Sequence, residues 1–135
     1  MAIKVLKKIS EKDACLELEE KSEILTITAI GKIGQSKFGE DKYYFYITYE
    51  FEDGRTLKIS YLFDKKEDYY SCTSRSKLFE ILKGFLEINK YECNGVDFER
   101  DDLIELLLNK RFLATAEFRE IYGNSFPYII VLDVL

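Results

Sequence analysis

YYFYITYEFEDGRTLKISYLF, residues 43–63, alternates apolar and polar residues on both sides of an Asp-Gly pair. A period of two on either side of a turn signal predicts an antiparallel hairpin. Tyr43, Phe45, Ile47, Tyr49 and Phe51 share one parity, and Leu57, Ile59, Tyr61 and Phe63 share the matching one. A two-residue Asp53-Gly54 loop would set Phe51 opposite Thr56 and lay the apolar row of one strand beside the polar row of the other. A slip of one residue flips every side chain, so that register is disfavoured. A three-residue loop, Glu52-Asp53-Gly54, pairs Phe51 with Arg55, Tyr49 with Leu57 and Ile47 with Ile59. All the apolar residues then lie on one side, and Gly54 takes the left-handed position of a bulged turn.

The same register places Tyr44, Tyr46, Thr48 and Glu50 beside Thr56, Lys58, Ser60 and Leu62 on the other face. Two tyrosines, a lysine and several hydroxyls on the outer side of a sheet are the strongest functional signal in the chain. Strand propensity alone also puts tyrosines outside, which is the bland reading of the same residues.

Upstream, ILTITAIGKI (24–33) predicts a strand with Leu25, Ile27 and Ala29 inward and Thr26, Thr28, Ile30 and Lys32 outward. Gly31 and Gly34 mark a bend or bulge at its end. GQSKFGEDK follows as a polar loop carrying Lys37 and Phe38. Residues 1–23 are ambiguous: IKVLKKI fits a short strand or a helical turn, ACLELEE alternates in the manner of an edge strand, and the charges of Glu17 to Glu23 mark a surface segment. Downstream of Phe63, DKKEDYYSCT reads as a loop with Lys65, Lys66, Tyr69 and Tyr70. These could stack and neutralise a nucleic-acid strand, or cover the end of the sheet. Ser74 is the expected cap of a helix over residues 75–88, whose Leu78, Phe79, Ile81, Leu82, Phe85 and Leu86 form a broad apolar stripe of core type. Gly84 offers close packing against a strand. Asp101 is the expected cap of a second helix over 102–108, ended by Asn109 in a left-handed conformation with Lys110 and Arg111 at its negative end. Two strands, 112–121 and 126–135, close the chain around a YGNS turn. Phe112, Ala114, Ala116 and Phe118 form the inner row, and the nearly all-apolar last strand is expected to be central or closing.

Length and composition bound the answer. The 135 residues fit one domain with its own core, residues 24–135 forming that core behind the N-terminal segment. A net charge of −5 gives no general basic field, so binding to a polyanion needs a local patch. No run of about 18 apolar residues and no signal-length apolar stretch is present, so a cytoplasmic location without a membrane is expected. Cys15, Cys72 and Cys93 are widely spaced without a CxxC, as expected of reduced thiols. Absence of histidine removes Ser-His-Asp and Cys-His nucleophiles, histidine metal sites and the commonest general base. Asp64, Glu67 and Asp68 could hold magnesium, but Lys65 and Lys66 interleave with them and favour a solvated loop. A non-enzymatic protein without cofactor or metal is the expectation.

Three meander strands, a helical connection and two further strands give a mainly β chain with helices, in the order of a five-stranded OB-like barrel with a helical insertion between strands 3 and 4. An open sheet flanked by helices is the alternative. The runs SKFGEDKYYFYITYEFEDG, SKLFEILKGFLEI and DDLIELLLNKRFLATAEFREIYGN resemble small phage and mobile-element proteins with an OB-fold core that bind single-stranded DNA. In those, a Ser-Lys-x-Gly loop precedes a hydrophobic strand, and a leucine-rich helix precedes a strand ending in a Tyr-Gly turn. Asn109 stands where such proteins usually have Gly. The chain ends in VLDVL rather than in the acidic tail of bacterial single-strand binding proteins.

The resemblance implies an accessory protein of replication or recombination that binds single-stranded DNA or RNA. Lys32, Lys37, Arg55, Lys58, Lys65 and Lys66 would meet phosphates, and Phe38, Tyr44 and Tyr46 would stack on bases. Two other readings stand beside it. One is a protein-interaction module or self-associating homo-oligomer using the same tyrosine-bearing face. The other is an acidic mimic built on Glu17, Glu19, Glu20 and Glu23.

Overall fold

The computed structural model describes residues 7–88 and 92–135. In chain order the elements are β1 (Lys7–Lys8), α1 (Glu11–Glu20), β2 (Glu23–Ile30), β3 (Gly34–Gln35), β4 (Lys42–Phe51), β5 (Arg55–Lys65), β6 (Tyr70–Thr73), α2 (Lys77–Leu86), β7 (Gly95–Phe98), α3 (Arg100–Leu107), β8 (Arg111–Ile121) and β9 (Asn124–Val134). The protein is mainly β.

The β4–β5 hairpin has the register that its parity demands, with Tyr49 opposite Leu57, Ile47 opposite Ile59 and Tyr46 opposite Ser60. The loop spans three residues, closed by Gly54 N–H donating to Phe51 O at 3.0 Å, and Gly54 has φ +93°. Phe45, Ile47, Tyr49, Leu57, Ile59 and Tyr61 are all fully buried. Inside this row the hydroxyls of Tyr49 and Tyr61 hydrogen-bond to each other, so that neither buried oxygen is left unpaired.

The sheet runs β7-β6-β5-β4-β2-β8-β9, with β1 pairing parallel to β5 and β3 pairing to β4. Its end strands β7 and β9 do not meet, so the expected closed five-stranded barrel gives way to an open, helix-flanked sheet. The reason lies in the edges. The second edge of β5 is taken by β1 at Arg55 and Thr56 and by β6 at Asp64 and Lys65. β9 is neither central nor closing: it pairs with β8 alone and packs on α2. There Val131 comes so close to Gly84 that an added Cβ would stand 2.4 Å from the valine Cβ. Glu80 of α2, 1% exposed, joins Lys83 at 2.6 Å and Arg119 of β8 at 2.9 Å. Burial opposes its charge, but these two cations hold its carboxyl below the usual range.

Several expectations are corrected. ACLELEE is helical, not an edge strand. Ser10 caps α1 by accepting from Asp13 N–H at 3.2 Å, and Ala14, Cys15 and Leu18 are buried at helical spacing. Of IKVLKKI, residues 3–6 lie outside the described residues, and Lys7–Lys8 form β1. The bulge of β2 falls between Ile27 and Ala29, before Gly31, so Ala29 is exposed and Ile30 packs against the core. Ser76, not Ser74, caps α2, accepting from Phe79 N–H at 3.2 Å. α3 starts two residues early behind Glu99, whose capping box uses Asp102. Asn109 does end it at φ +64°, its N–H donating to Ile27 O at 2.8 Å. Tyr70–Thr73, expected in a loop, is a strand.

Two measurements follow. In an open helix Gly→Ala stabilises by about 1 kcal/mol, but at Gly84 the new methyl meets Val131. Gly84→Ala should therefore lower stability to urea by about 1–3 kcal/mol, and Val131→Ala in the same chain should recover most of that loss. The second concerns alkali. Burial pushes the Cys15 thiol up to about 12, Cys72 up to about 11, and both Tyr49 and Tyr61 well above the usual phenol value. Their folded values exceed the unfolded ones, so their contribution is complete below about pH 8.5 and is lost as the unfolded chain releases these protons first. Tyr128, raised by burial, and Lys42, raised by its bond to Asp64, act in the same sense, and Lys77, lowered by burial, opposes them as one group against six. The urea midpoint should fall steadily above about pH 9; a midpoint unchanged to pH 11 would contradict the assignment.

Candidate nucleic-acid interface

The face of β4 and β5 opposite the core presents Tyr44, Tyr46, Thr48, Lys58, Ser60 and Leu62 in the expected cross-strand pairs. Tyr46 is 39% exposed, and the Lys58 ammonium sits over its ring, 4.6 Å from the centroid. Tyr44 meets Tyr46 edge-on at 5.8 Å. Its ring also covers Gly34, where a Cβ would come within 3.1 Å of the ring carbons. Gly34 thus gives Tyr44 a flat seat beside Tyr46. Gly31 N–H donates to Tyr46 O at 2.8 Å, which brings the following Lys32, exposed, to the same end of the face.

The loop between β3 and β4 supplies the rim. Ser36 N–H donates to Lys42 O at 2.8 Å, which folds Lys37 and Phe38 outward, and Phe38 is 83% exposed. Phe38 lines a hollow of about 280 Å³ with Leu62, the cross-strand partner of Tyr44. Tyr44, Tyr46 and Lys58 are thus in mutual contact on this face, Phe38 shares a hollow with Leu62 beside them, and Lys32 and Lys37 are exposed in the segment that leads into β4.

The remaining predicted cations lie elsewhere. Arg55 has the parity of the core row and stands on the opposite side of the sheet from Lys58. It is held by Glu17, by Asp53 at 2.7 Å and by Glu23 at 3.7 Å, with its guanidinium 4.5 Å from the Phe51 centroid. The Glu17 contact raises its pKa further. Lys65 shares that parity and sits between Tyr43 and Tyr70, 5.7 and 5.6 Å from their centroids. Lys66 is exposed in the following turn, its N–H donating to Tyr69 O at 2.9 Å. The expected set of nine is thus split between two faces, since residues 55 and 65 are odd and 58 is even.

Asp64, one of the candidate magnesium carboxylates, is ion-paired with Lys42. Among the described residues no group of three His, Cys, Asp or Glu is placed to hold a metal ion, and no helix is long and apolar enough to cross a membrane.

Sequence reasoning gives no reason to group Arg55 with Glu17, because the alternation of ACLELEE leaves the type of this segment ambiguous. The signal was present in Ser10 followed by Asp13 and in the spacing of Ala14, Cys15 and Leu18. A structural Arg55 makes a clear forecast: Arg55→Ala should lower stability by about 1 kcal/mol in urea while leaving any oligonucleotide affinity within twofold. Comparison of the chain with protein-family models, with curated proteins and with solved structures gives no match.

Proposed function

We propose that this chain binds single-stranded nucleic acid across the outer face of β4 and β5, as a non-catalytic accessory protein of phage or mobile-element replication or recombination. The carrying observation is the exposed Tyr46–Lys58 couple, flanked by Tyr44 and Phe38. Aromatic faces accept any base by stacking, at about 1–3 kcal/mol per base, while ammonium groups neutralise the adjoining phosphates. The strand order supports the reading as well. β5-β4-β2-β8-β9 is the neighbour order of an OB-like barrel opened at the seam between β5 and β9, and OB barrels bind strands on the face formed by their second and third strands. Those strands are β4 and β5 here. The face carries Glu50 at its far end, so the ligand engages the Tyr44 half. A duplex, whose bases are stacked inside, offers nothing to Tyr46 or Phe38.

The competing reading is a protein partner for the same face, favoured by the exposed Phe38 and Leu62 and by the net charge of −5.

The test is fluorescence anisotropy with labelled oligo-dT and oligo-U. Three lysines, Lys32, Lys37 and Lys58, predict that affinity falls by about two log units per log unit of salt. Tyr46→Ala and Lys58→Glu should each weaken binding by about tenfold with the urea midpoint unchanged, and duplex should bind far more weakly. Absence of binding at low salt, or binding indifferent to both substitutions, would pass the face to a protein partner.

A further inference from the structure

The outer face of β4 and β5 ends in a hollow. Past the Tyr46–Ser60 and Tyr44–Leu62 pairs, the last cross-strand pair of the same parity is Lys42–Asp64. Phe38 from the loop before β4, and Thr73 and Ser76 from the connection between β6 and α2, line a space of about 280 Å³ with this pair and Leu62. We infer that this hollow takes one unstacked base of the bound strand and selects guanine. The inference rests on the nucleic-acid reading of the face and adds to it a sequence preference at a single position.

Size and lining point to a base. The volume falls just short of the range for drug-sized ligands and suits a single planar ring system. Phe38 is 83% exposed and Leu62 45%, two large apolar side chains at one opening that stand outside the core cluster. A base inserted there gains a stacking partner in Phe38 and lies next to Tyr44, the cross-strand partner of Leu62. Charge agrees with this. Lys42 and Asp64 are ion-paired and both partly exposed. One cation beside one anion offers a neutral ligand a donor next to an acceptor, and offers a phosphate no net attraction. The Ser76 hydroxyl is already committed, donating to Thr73 O at 2.9 Å and accepting from Phe79 N–H at 3.2 Å. The charged pair therefore makes the strongest hydrogen bonds open to a ligand.

Donor and acceptor pattern identifies the base. A carboxylate only accepts and an ammonium only donates. Lys42 donates to Asp64 Oδ1, and among the described residues Oδ2 has no hydrogen-bond partner. The Watson–Crick edge of guanine carries two adjacent donors, N1–H and the 2-amino group, beside the O6 acceptor. Its donors meet the carboxylate and its O6 meets the ammonium, so every group on that edge is satisfied. Adenine and cytosine bring one donor group to the same edge. Thymine and uracil flank their one donor with two acceptors, one of which would face the carboxylate.

The probe is a fluorescein-labelled oligo-dT of about 15 nucleotides, titrated by anisotropy against the full chain. It is compared with the same strand carrying one central guanine, adenine, cytosine or hypoxanthine. Guanine should tighten binding about tenfold, whereas adenine and cytosine should stay within about twofold of thymine. Hypoxanthine, which keeps O6 and N1–H but lacks the 2-amino group, should lose most of the gain. Asp64→Asn should bring the guanine-to-thymine affinity ratio close to one, with the urea midpoint checking its fold. Tyr46→Ala should weaken both strands and keep the ratio. The hypoxanthine comparison needs no altered protein, so it decides the matter even where Asp64→Asn does not fold. Thymine-level binding of the guanine strand, an equal gain from hypoxanthine, or a guanine preference that survives Asp64→Asn would overturn the inference. With oligo-dT still bound, each of these results leaves the proposed face standing, whereas no binding of any strand removes both.

Discussion

Side-chain parity along the β4–β5 hairpin is the constraint from which the rest of the structure follows. Because successive side chains point to opposite faces, the turn at Glu52–Gly54 decides which row is buried for nine residue pairs at once. With Gly54 at positive φ, the row of Phe45, Ile47 and Tyr49 meets that of Leu57, Ile59 and Tyr61. The hydroxyls of Tyr49 and Tyr61 add specificity to that burial. Each satisfies the other, and a shift of register would leave both stranded in an apolar interior. Everything polar in the even-numbered row, Tyr46 and Lys58 included, is then forced outward.

Helices complete what hydrogen bonds between strands leave open. β5 cannot accept β9 because β1 and β6 occupy its free edge at the two ends. α2 fills the position instead, seated on β9 through the Gly84–Val131 contact and tied to β8 by the Glu80–Arg119 ion pair. Glu80 is a buried charge, and such a charge is tolerated only when its partners stay in place. Lys83 from its own helix and Arg119 from the sheet meet that demand, so the same contact that neutralises Glu80 also locates α2. α1 has a different role. It carries Glu17 to Arg55 and places Cys15 near the tyrosine pair, closing the other side of the core.

Much of this was legible from the residues because alternation and turn chemistry act locally. The hairpin register, the two faces of β4 and β5, the inner row of β8 and the left-handed Asn109 all follow from spacing. What escaped is set by long-range contacts. The alternation of Cys15-Leu-Glu-Leu-Glu imitates a strand, and only the packing of Ala14, Cys15 and Leu18 against the sheet makes it a helix. β6 and β7 are four residues each, too short to show a period, and exist by pairing with each other, Cys72 opposite Val96. The bulge after Ile27 precedes the glycines that pointed to it. Of the candidate site, the aromatic part could be read in advance. The grouping of its cations could not, since Arg55 answers to Glu17 on an element whose type the spacing leaves ambiguous.

The position of β2 bears on how the molecule comes into being. Its two neighbours are β4, which follows soon after it, and β8, where Leu25 waits for Phe112. During synthesis the meander β2-β4-β5 can assemble early, yet one flank of β2 has no partner until the last quarter of the chain leaves the ribosome. Contacts that close so long a loop form late and slowly. Over that interval the nascent chain carries an unpaired, β-branched edge of the kind that recruits other chains. Completion of the fold by its final hairpin therefore also ends the period in which this protein is most exposed to aggregation.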